Sequence, residues 1–147
     1  MIISIIIPVF NGEKVISRSI RSALDQNFPR NKYEIIVIND GSTDKTSKIL
    51  DTFSNEITII NNKKNKGLAA SRNLGYKIAK GRYIVNLDSD DYIHNELINT
   101  QSLFLSLSPQ FDAVSCDYYT VDSSENHIKK YCGKKNPIAC GIMFRME

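Results

Sequence analysis

The stretch Tyr83–Ile93, YIVNLDSDDYI, sets Asp88, Ser89, Asp90 and Asp91 in a row directly behind an apolar run. Three carboxylates within four residues repel one another, and a fold that gathers them needs a cation or a set of donors to offset the repulsion. Mg²⁺ and Mn²⁺ suit such a place. Both prefer hard oxygen ligands, keep several waters, and are held by one or two carboxylates together with substrate phosphates. In a near-extended chain Asp88 and Asp90 would project to one side about 6.5 Å apart, so that one ligates the ion while the other reaches a neighbouring group. A lone D-x-D is a weak sign, because acidic triplets are common in solvated loops; its place behind a buried strand adds weight.

The elements that must position these acids alternate along the chain. Ile2–Pro8, Tyr33–Asn39, Ile57–Asn61 and Arg82–Leu87 are short Ile/Val-rich runs without period-two polarity, as strands buried on both faces should be. Between them lie helical patterns. Ile16, Ile20, Ala23 and Leu24 share one face, Thr46, Ile49, Leu50 and Phe53 a second, and Ala70, Leu74 and Ile78 a third. Asn11-Gly12-Glu13 and Gly41-Ser42-Thr43-Asp44 are expected to cap the first two helices, and Gly81 to stop the third. A further helix is expected over about Asn95–Leu107 and a strand over about Ala113–Asp117. Strict alternation predicts an α/β fold, a mainly parallel sheet flanked by helices with right-handed crossovers.

In an open parallel sheet, ligands bind outside the carboxyl ends of the strands. There the sequence offers Pro8-Val9-Phe10-Asn11, Asp40-Gly41-Ser42, Asn62 to Gly67, and Asp88 to Asp91. No G-x-G-x-x-G follows the first strand and no G-x-x-x-x-G-K-[ST] occurs, which speaks against a dinucleotide oxidoreductase and a P-loop enzyme. A metal can hold phosphates where backbone amides do not. Asp40 can stay ionised beside the amides of Gly41 and Ser42 and accept a hydrogen bond from a ligand N–H, or merely cap the second helix. Arg72 could equally be an ion-pair partner, and Gly67 and Gly75 could permit tight helix packing. Asp91 is expected to support the ligands from behind, and His94 and His127 are not at ligand spacing from the D-x-D.

The 147 residues suffice for a single domain, 1–147. Hydrophobic content of 41%, charged content of 24%, and only four Pro and seven Gly exclude disordered and fibrous classes. A net charge of +3 with scattered lysines gives no nucleic-acid footprint. Cys116, Cys132 and Cys140 fit no zinc or redox spacing and read as reduced thiols of a cytoplasmic protein. The apolar start, MIISIIIPVF, lacks a basic leader and is too short to span a bilayer.

Together, SIIIPVFNGE, IIVINDGSTDKT and NKGLAASRNLGYKIAKGRYIVNLDSDD resemble the N-terminal half of glycosyltransferase family 2, over about Ile2 to Leu97. The resemblance implies the GT-A fold and a nucleotide-sugar donor, a uridine diphosphate sugar being the commonest in the family. It implies that Pro8, Val9 and Phe10 line the base pocket, that Asp40 bonds the base, and that Arg72 lies near it. It puts Asp88 on ribose and metal and Asp90 directly on Mn²⁺ or Mg²⁺, with Asn11, Glu13, Gly67 and Ser89 as further nucleotide-sugar contacts. Asn39 stands where many members carry a second Asp. The resemblance further implies an inverting transfer to a saccharide or lipid-linked acceptor, at the inner face of the membrane, through peripheral contact. The general base is expected beyond Glu147, so the chain is expected to be a donor-binding part cut before the acceptor-binding part.

Two other classes compete. A haloacid-dehalogenase-type phosphatase also places D-x-D behind a strand, with the first Asp as nucleophile. There it ordinarily follows the first strand and continues with Thr or Val, whereas here it follows the fourth and continues with Asp91-Tyr92. A nucleotide-binding module without turnover is the other, and sequence downstream of Glu147 discriminates it.

Overall fold

Alternation of apolar runs and amphipathic stretches becomes alternation of strand and helix in a computed structural model, which describes residues 2–122, 124–136 and 138–146. The first four strands are β1 (Ile3–Val9), β2 (Tyr33–Asn39), β3 (Thr58–Asn61) and β4 (Tyr83–Asn86). Helices α1 (Ile16–Leu24), α2 (Thr46–Asp51) and α3 (Leu68–Ile78) connect them, and α4 (Leu97–Leu107) follows. The chain then forms β5 (Ala113–Val114), a hairpin of β6 (Tyr118–Val121) and β7 (His127–Tyr131), and β8 (Met143–Arg145). The main sheet has six strands in the order β3-β2-β1-β4-β8-β5. β1 to β4 run parallel, while β8 pairs antiparallel with both β4 and β5. β6 and β7 form a separate two-stranded sheet.

Side chains of a strand alternate between faces, and β1 is buried on both. Ile3, Ile5, Ile7 and Val9 pack with Ile16 and Ile20 of α1, Leu50 of α2, and Ile98 and Leu105 of α4. Ile6, Ile36, Ile38 and Ile84 point the other way, against Leu74 and Ile78 of α3. Each fully buried Ile stabilises the fold by about 1.5–3 kcal/mol over an exposed one. α3 lies close: a Cβ on Gly75 would sit 2.4 Å from Ile6 Cγ2, so Gly75 does permit tight packing. Gly67 does not, since its Cβ would meet nothing within 4 Å; its φ of +88° is what requires glycine.

Several expectations are corrected. The third strand is a half-exposed sheet edge. Asn11 caps no helix, since α1 starts without a side-chain cap; only the Gly12 carbonyl takes the first amide of α1, that of Ile16, at 3.0 Å. Gly81 is not a left-handed helix stop but a point of close approach, where a Cβ would fall 2.5 Å from the Ser4 nitrogen. Beyond α4, only Ala113–Val114 of the expected strand forms. The hairpin and β8, short and in part polar, were not anticipated from pattern. Glu147, beyond which the base is expected, lies outside the described residues.

Candidate functional site

The parallel register brings Val9 level with Asn39, and Asn39 level with Asn61, so three strands end at one height. The loops that follow enclose a cleft of about 280 Å³ lined by Pro8, Val9 and Phe10 on one side and by Asp88, Ser89 and Asp90 on another. Asp40, Asn65, Gly67, Leu68 and Ser71 complete it. Eight of the expected site residues thus meet: Pro8, Val9, Phe10, Asp40, Gly67, Asp88, Ser89 and Asp90. Asn11, Glu13 and Arg72 stand outside the lining.

Asn11 and Glu13 instead join two loops. The Thr43 N–H donates to Asn11 Oδ1 (2.8 Å), the Lys45 N–H to Glu13 Oε2 (2.9 Å), and the Glu13 N–H to Asp44 Oδ2 (3.0 Å). Asp44 Oδ1 accepts from the Thr46 N–H at 2.9 Å, and the Gly12 N–H donates to Thr46 Oγ1, also at 2.9 Å. The β1–α1 and β2–α2 loops therefore hold each other, while Asp44 also takes the first amide of α2, as a capping acid does. Arg72 pairs with Asp88 through Nη2 and Oδ1.

Asp40, buried at the end of β2, is the hub of the third loop. It does not bond Gly41 or Ser42; the Ser42 N–H donates to Asn39 Oδ1. Its carboxylate accepts from Asn62 Nδ2 (2.7 Å) and the Gly67 N–H (2.8 Å), and shares the Lys66 N–H between both oxygens at 3.0 Å. Burial pushes the Asp40 carboxyl up, but these donors outweigh it and hold it below the usual carboxylate range. Gly41 fits beneath: with φ +75°, its Cβ would lie 2.7 Å from the Lys64 backbone.

The acidic run is a turn, not an extended D-x-D: the Asp91 N–H donates to the Asp88 carbonyl at 3.1 Å. Ligand atoms of Asp88, Asp91 and Cys140 fall within 4.8 Å of one another. Burial pushes the Asp91 carboxyl up; the Cys140 thiol lowers it in part, and the Asp90 and Asp88 charges raise it further. Burial pushes the Cys140 thiol far up as well, so at neutral pH it stays a neutral, soft group. Asp90 is exposed on the cleft, and among the described residues none donates to its carboxylate. Among the described residues the grouped hard oxygens are those of Asp88 and Asp91, Asp90 standing outside that group on the cleft; carboxylate oxygens fit Mg²⁺ or Mn²⁺ better than a thiophilic metal.

Residues 4–139 match the family described as Glycosyl transferase family 2. The chain belongs to that family. Its sheet and flanking helices match GT-A glycosyltransferase structures. TarS 1–349 of S. aureus in complex with UDP-GlcNAc superposes with a TM-score of 0.76 at 28% identity, over 88% of this chain and 37% of that one. The mannosyltransferase PcManGT of Pyrobaculum calidifontis, in complex with GDP-Man and Mn²⁺, shares the fold with a TM-score of 0.72 at 24% identity, over 78% and 34% of the two chains. In sequence, the chain is 43% identical over 102 residues to a poly(ribitol-phosphate) beta-glucosyltransferase of Bacillus spizizenii, 67% of this chain and 16% of that protein. It is 40% identical over 119 residues to the UDP-Glc:alpha-D-GlcNAc-diphosphoundecaprenol beta-1,3-glucosyltransferase WfaP of Escherichia coli, 80% and 46% of the two. The chain spans between 14% and 51% of the length of such curated relatives.

In this family 2 chain, α1 holds the acidic turn by a row of polar side chains that sequence reading missed. Ser19 Oγ donates to the Asp88 carbonyl (3.1 Å) and Arg18 Nη2 to the Asp90 carbonyl (2.7 Å); just past the helix, Gln26 Nε2 donates to the His94 carbonyl (2.9 Å), beyond the turn. Ser22 Oγ accepts from the Ile93 N–H at 3.2 Å. The signal was present: Arg18 and Ser22 lie four residues apart on α1, beside the apolar stripe of Ile16, Ile20 and Ala23, and Gln26 keeps the same spacing just past the helix end.

Proposed function

We propose that this chain is the donor-binding part of an inverting glycosyltransferase that takes a sugar from a nucleoside diphosphate, a UDP-sugar by preference, and passes it to a hydroxyl of a saccharide or lipid-linked acceptor. The observation that carries the reading is the cleft itself. Pro8, Val9 and Phe10, at the end of β1, stand between Asp40 behind β2 and the carboxylates of Asp88 and Asp90 behind β4, which offers a base one end and a ribose diphosphate the other. Phe10 is 48% exposed, free to cover a planar ring. The relatives named for UDP-glucose and bound to UDP-GlcNAc support uridine as the base.

In this reading Asp40 shapes the Asn62–Gly67 loop around the base and keeps capacity for one base N–H, and Asp88, held by Arg72, accepts from the ribose hydroxyls. Asp90 and Asp88 hold Mn²⁺ or Mg²⁺. When bound, such an ion supplies Lewis-acid stabilisation to the departing diphosphate. The acids lining the cleft, Asp40, Asp88 and Asp90, all have tasks at the donor, so the base that deprotonates the acceptor comes from elsewhere in the whole protein. No helix among the described residues is long and apolar enough to cross a membrane.

Calorimetric titration of UDP with and without Mn²⁺, on the wild type and Asp90→Asn, tests this. The wild type binds more tightly with Mn²⁺, and the variant loses that difference. Equal affinity in all four conditions sinks the reading.

A further inference from the structure

An arginine beside three carboxylates is expected to pair with one of them, yet Arg18 does not. Its Nη2 donates to the Asp90 main-chain carbonyl (2.7 Å), its Nη1 to Glu125 Oε1 (2.9 Å), and its guanidinium lies 4.7 Å from the centroid of the Tyr92 ring. Nε is buried with no acceptor among the described residues. Glu125 is 107 residues away in sequence, at the turn of the β6–β7 hairpin. That turn is built to present it: Asp122 Oδ1 accepts from the Ser124 (2.8 Å) and Asn126 (2.9 Å) amides, and the Asp122 carbonyl from the Glu125 N–H (3.0 Å), with Glu125 at φ +65°.

We propose that Arg18 and Glu125 form a positioning pair for the cation site, an inference that rests on the donor reading above. Arg18 fixes the backbone of the acidic turn. Glu125 takes up the Arg18 charge and so keeps the guanidinium from pairing with Asp90 or Asp91, leaving those carboxylates free for a divalent ion. The free Nε–H marks the alternative, since a guanidinium released by Glu125 has a donor ready for a carboxylate. The hairpin, whose described residues contribute nothing to the cleft lining, is thereby tied to the donor site.

The test is a double-mutant cycle on Mn²⁺ binding, read by the electron paramagnetic resonance signal of free Mn²⁺, with UDP titrated in parallel. Glu125→Gln keeps the side-chain shape and loses the charge; Glu125→Ala removes both, and thermal melting checks that the variants fold. Either substitution weakens Mn²⁺ binding about two- to fivefold in the wild-type background, the range of a half-exposed ion pair, and has no effect in an Arg18→Ala background. A simple loss of nearby negative charge would weaken binding equally in both backgrounds, and that result overturns the proposal, as does no effect in either. A wild type that binds no Mn²⁺ overturns it too. If Mn²⁺ binds and UDP does not, the donor reading fails while the cycle still judges the pair.

Discussion

Replacing Asp40 separates two things a carboxylate at a strand end can do. In the structure Asp40 accepts from three donors, Asn62 Nδ2 and the Lys66 and Gly67 amides, at 2.7 to 3.0 Å. Hydrogen bonds to a charged acceptor stabilise by about 1.5–3 kcal/mol each, but donors that regain water lose less. Lys66 is exposed and Asn62 and Gly67 are half-buried, so all three can be partly rehydrated. Asp40→Ala is therefore expected to lower stability by about 1.5–3 kcal/mol, the worth of one such bond rather than three. The loop those donors belong to also supplies Asn65 and Gly67 to the cleft, so UDP affinity should fall about ten- to hundredfold in protein that is still folded. Urea unfolding gives the first quantity and calorimetry at a temperature well below the melt gives the second. Wild-type stability in Asp40→Ala would refute the loop-holding role and leave Asp40 as a reader of the base alone. Lower stability with unchanged affinity would show that the loop does not serve the nucleotide.

Asp40 also predicts a pH dependence: because its folded-state carboxyl titrates below the ordinary range, its stabilisation is present above the unfolded value and lost as pH falls through the depressed one. The urea midpoint of the wild type should thus drop from about pH 4 downward more steeply than that of Asp40→Asn; parallel curves would refute the assignment. Gly75→Ala should lower the urea midpoint, since a Cβ 2.4 Å from Ile6 Cγ2 costs about 1–3 kcal/mol of overpacking against about 1 kcal/mol of helix propensity gained; a raised midpoint would show that the helix shifts freely. Sugar transfer by these 147 residues should run about 10²- to 10⁴-fold below that of a full-length relative on its own substrates. Comparable rates would place the base among the described residues, with Asp117 the first to substitute.

What could be read in the sequence was what depends on local period and on position relative to a strand end. β1, β2 and β4 announce themselves as Ile/Val-rich runs because both of their faces are covered, and the residues at and just behind their ends, Val9-Phe10, Asp40 and Asp88 to Asp90, reach the cleft almost regardless of detail. β8 was illegible for the opposite reason. Three residues, Met143–Arg145, make a strand because β4 and β5 leave an antiparallel slot between them, and nothing local in Met-Phe-Arg says so.

The same division runs through the site. Residue type and strand position indicate which side chains arrive, but not what holds them once there. Asp40 was legible as an acid behind a strand; that its carboxylate faces the Lys66 and Gly67 amides rather than its neighbours Gly41 and Ser42 depends on how a loop some 26 residues later folds back. The acidic run was legible as a concentration of charge; that it closes into a turn depends on Ser19 and Arg18 of a helix about 70 residues earlier. Each of these polar side chains sits at the border of an apolar helix face, where pattern reading counts only the apolar members. A helix facing a charged loop needs a second stripe, polar and in phase with the first, because the turn's carbonyls and amides lose water where α1 covers them and must find partners there. Searching strand-flanking helices for such paired stripes would have pointed to Arg18 from the sequence alone.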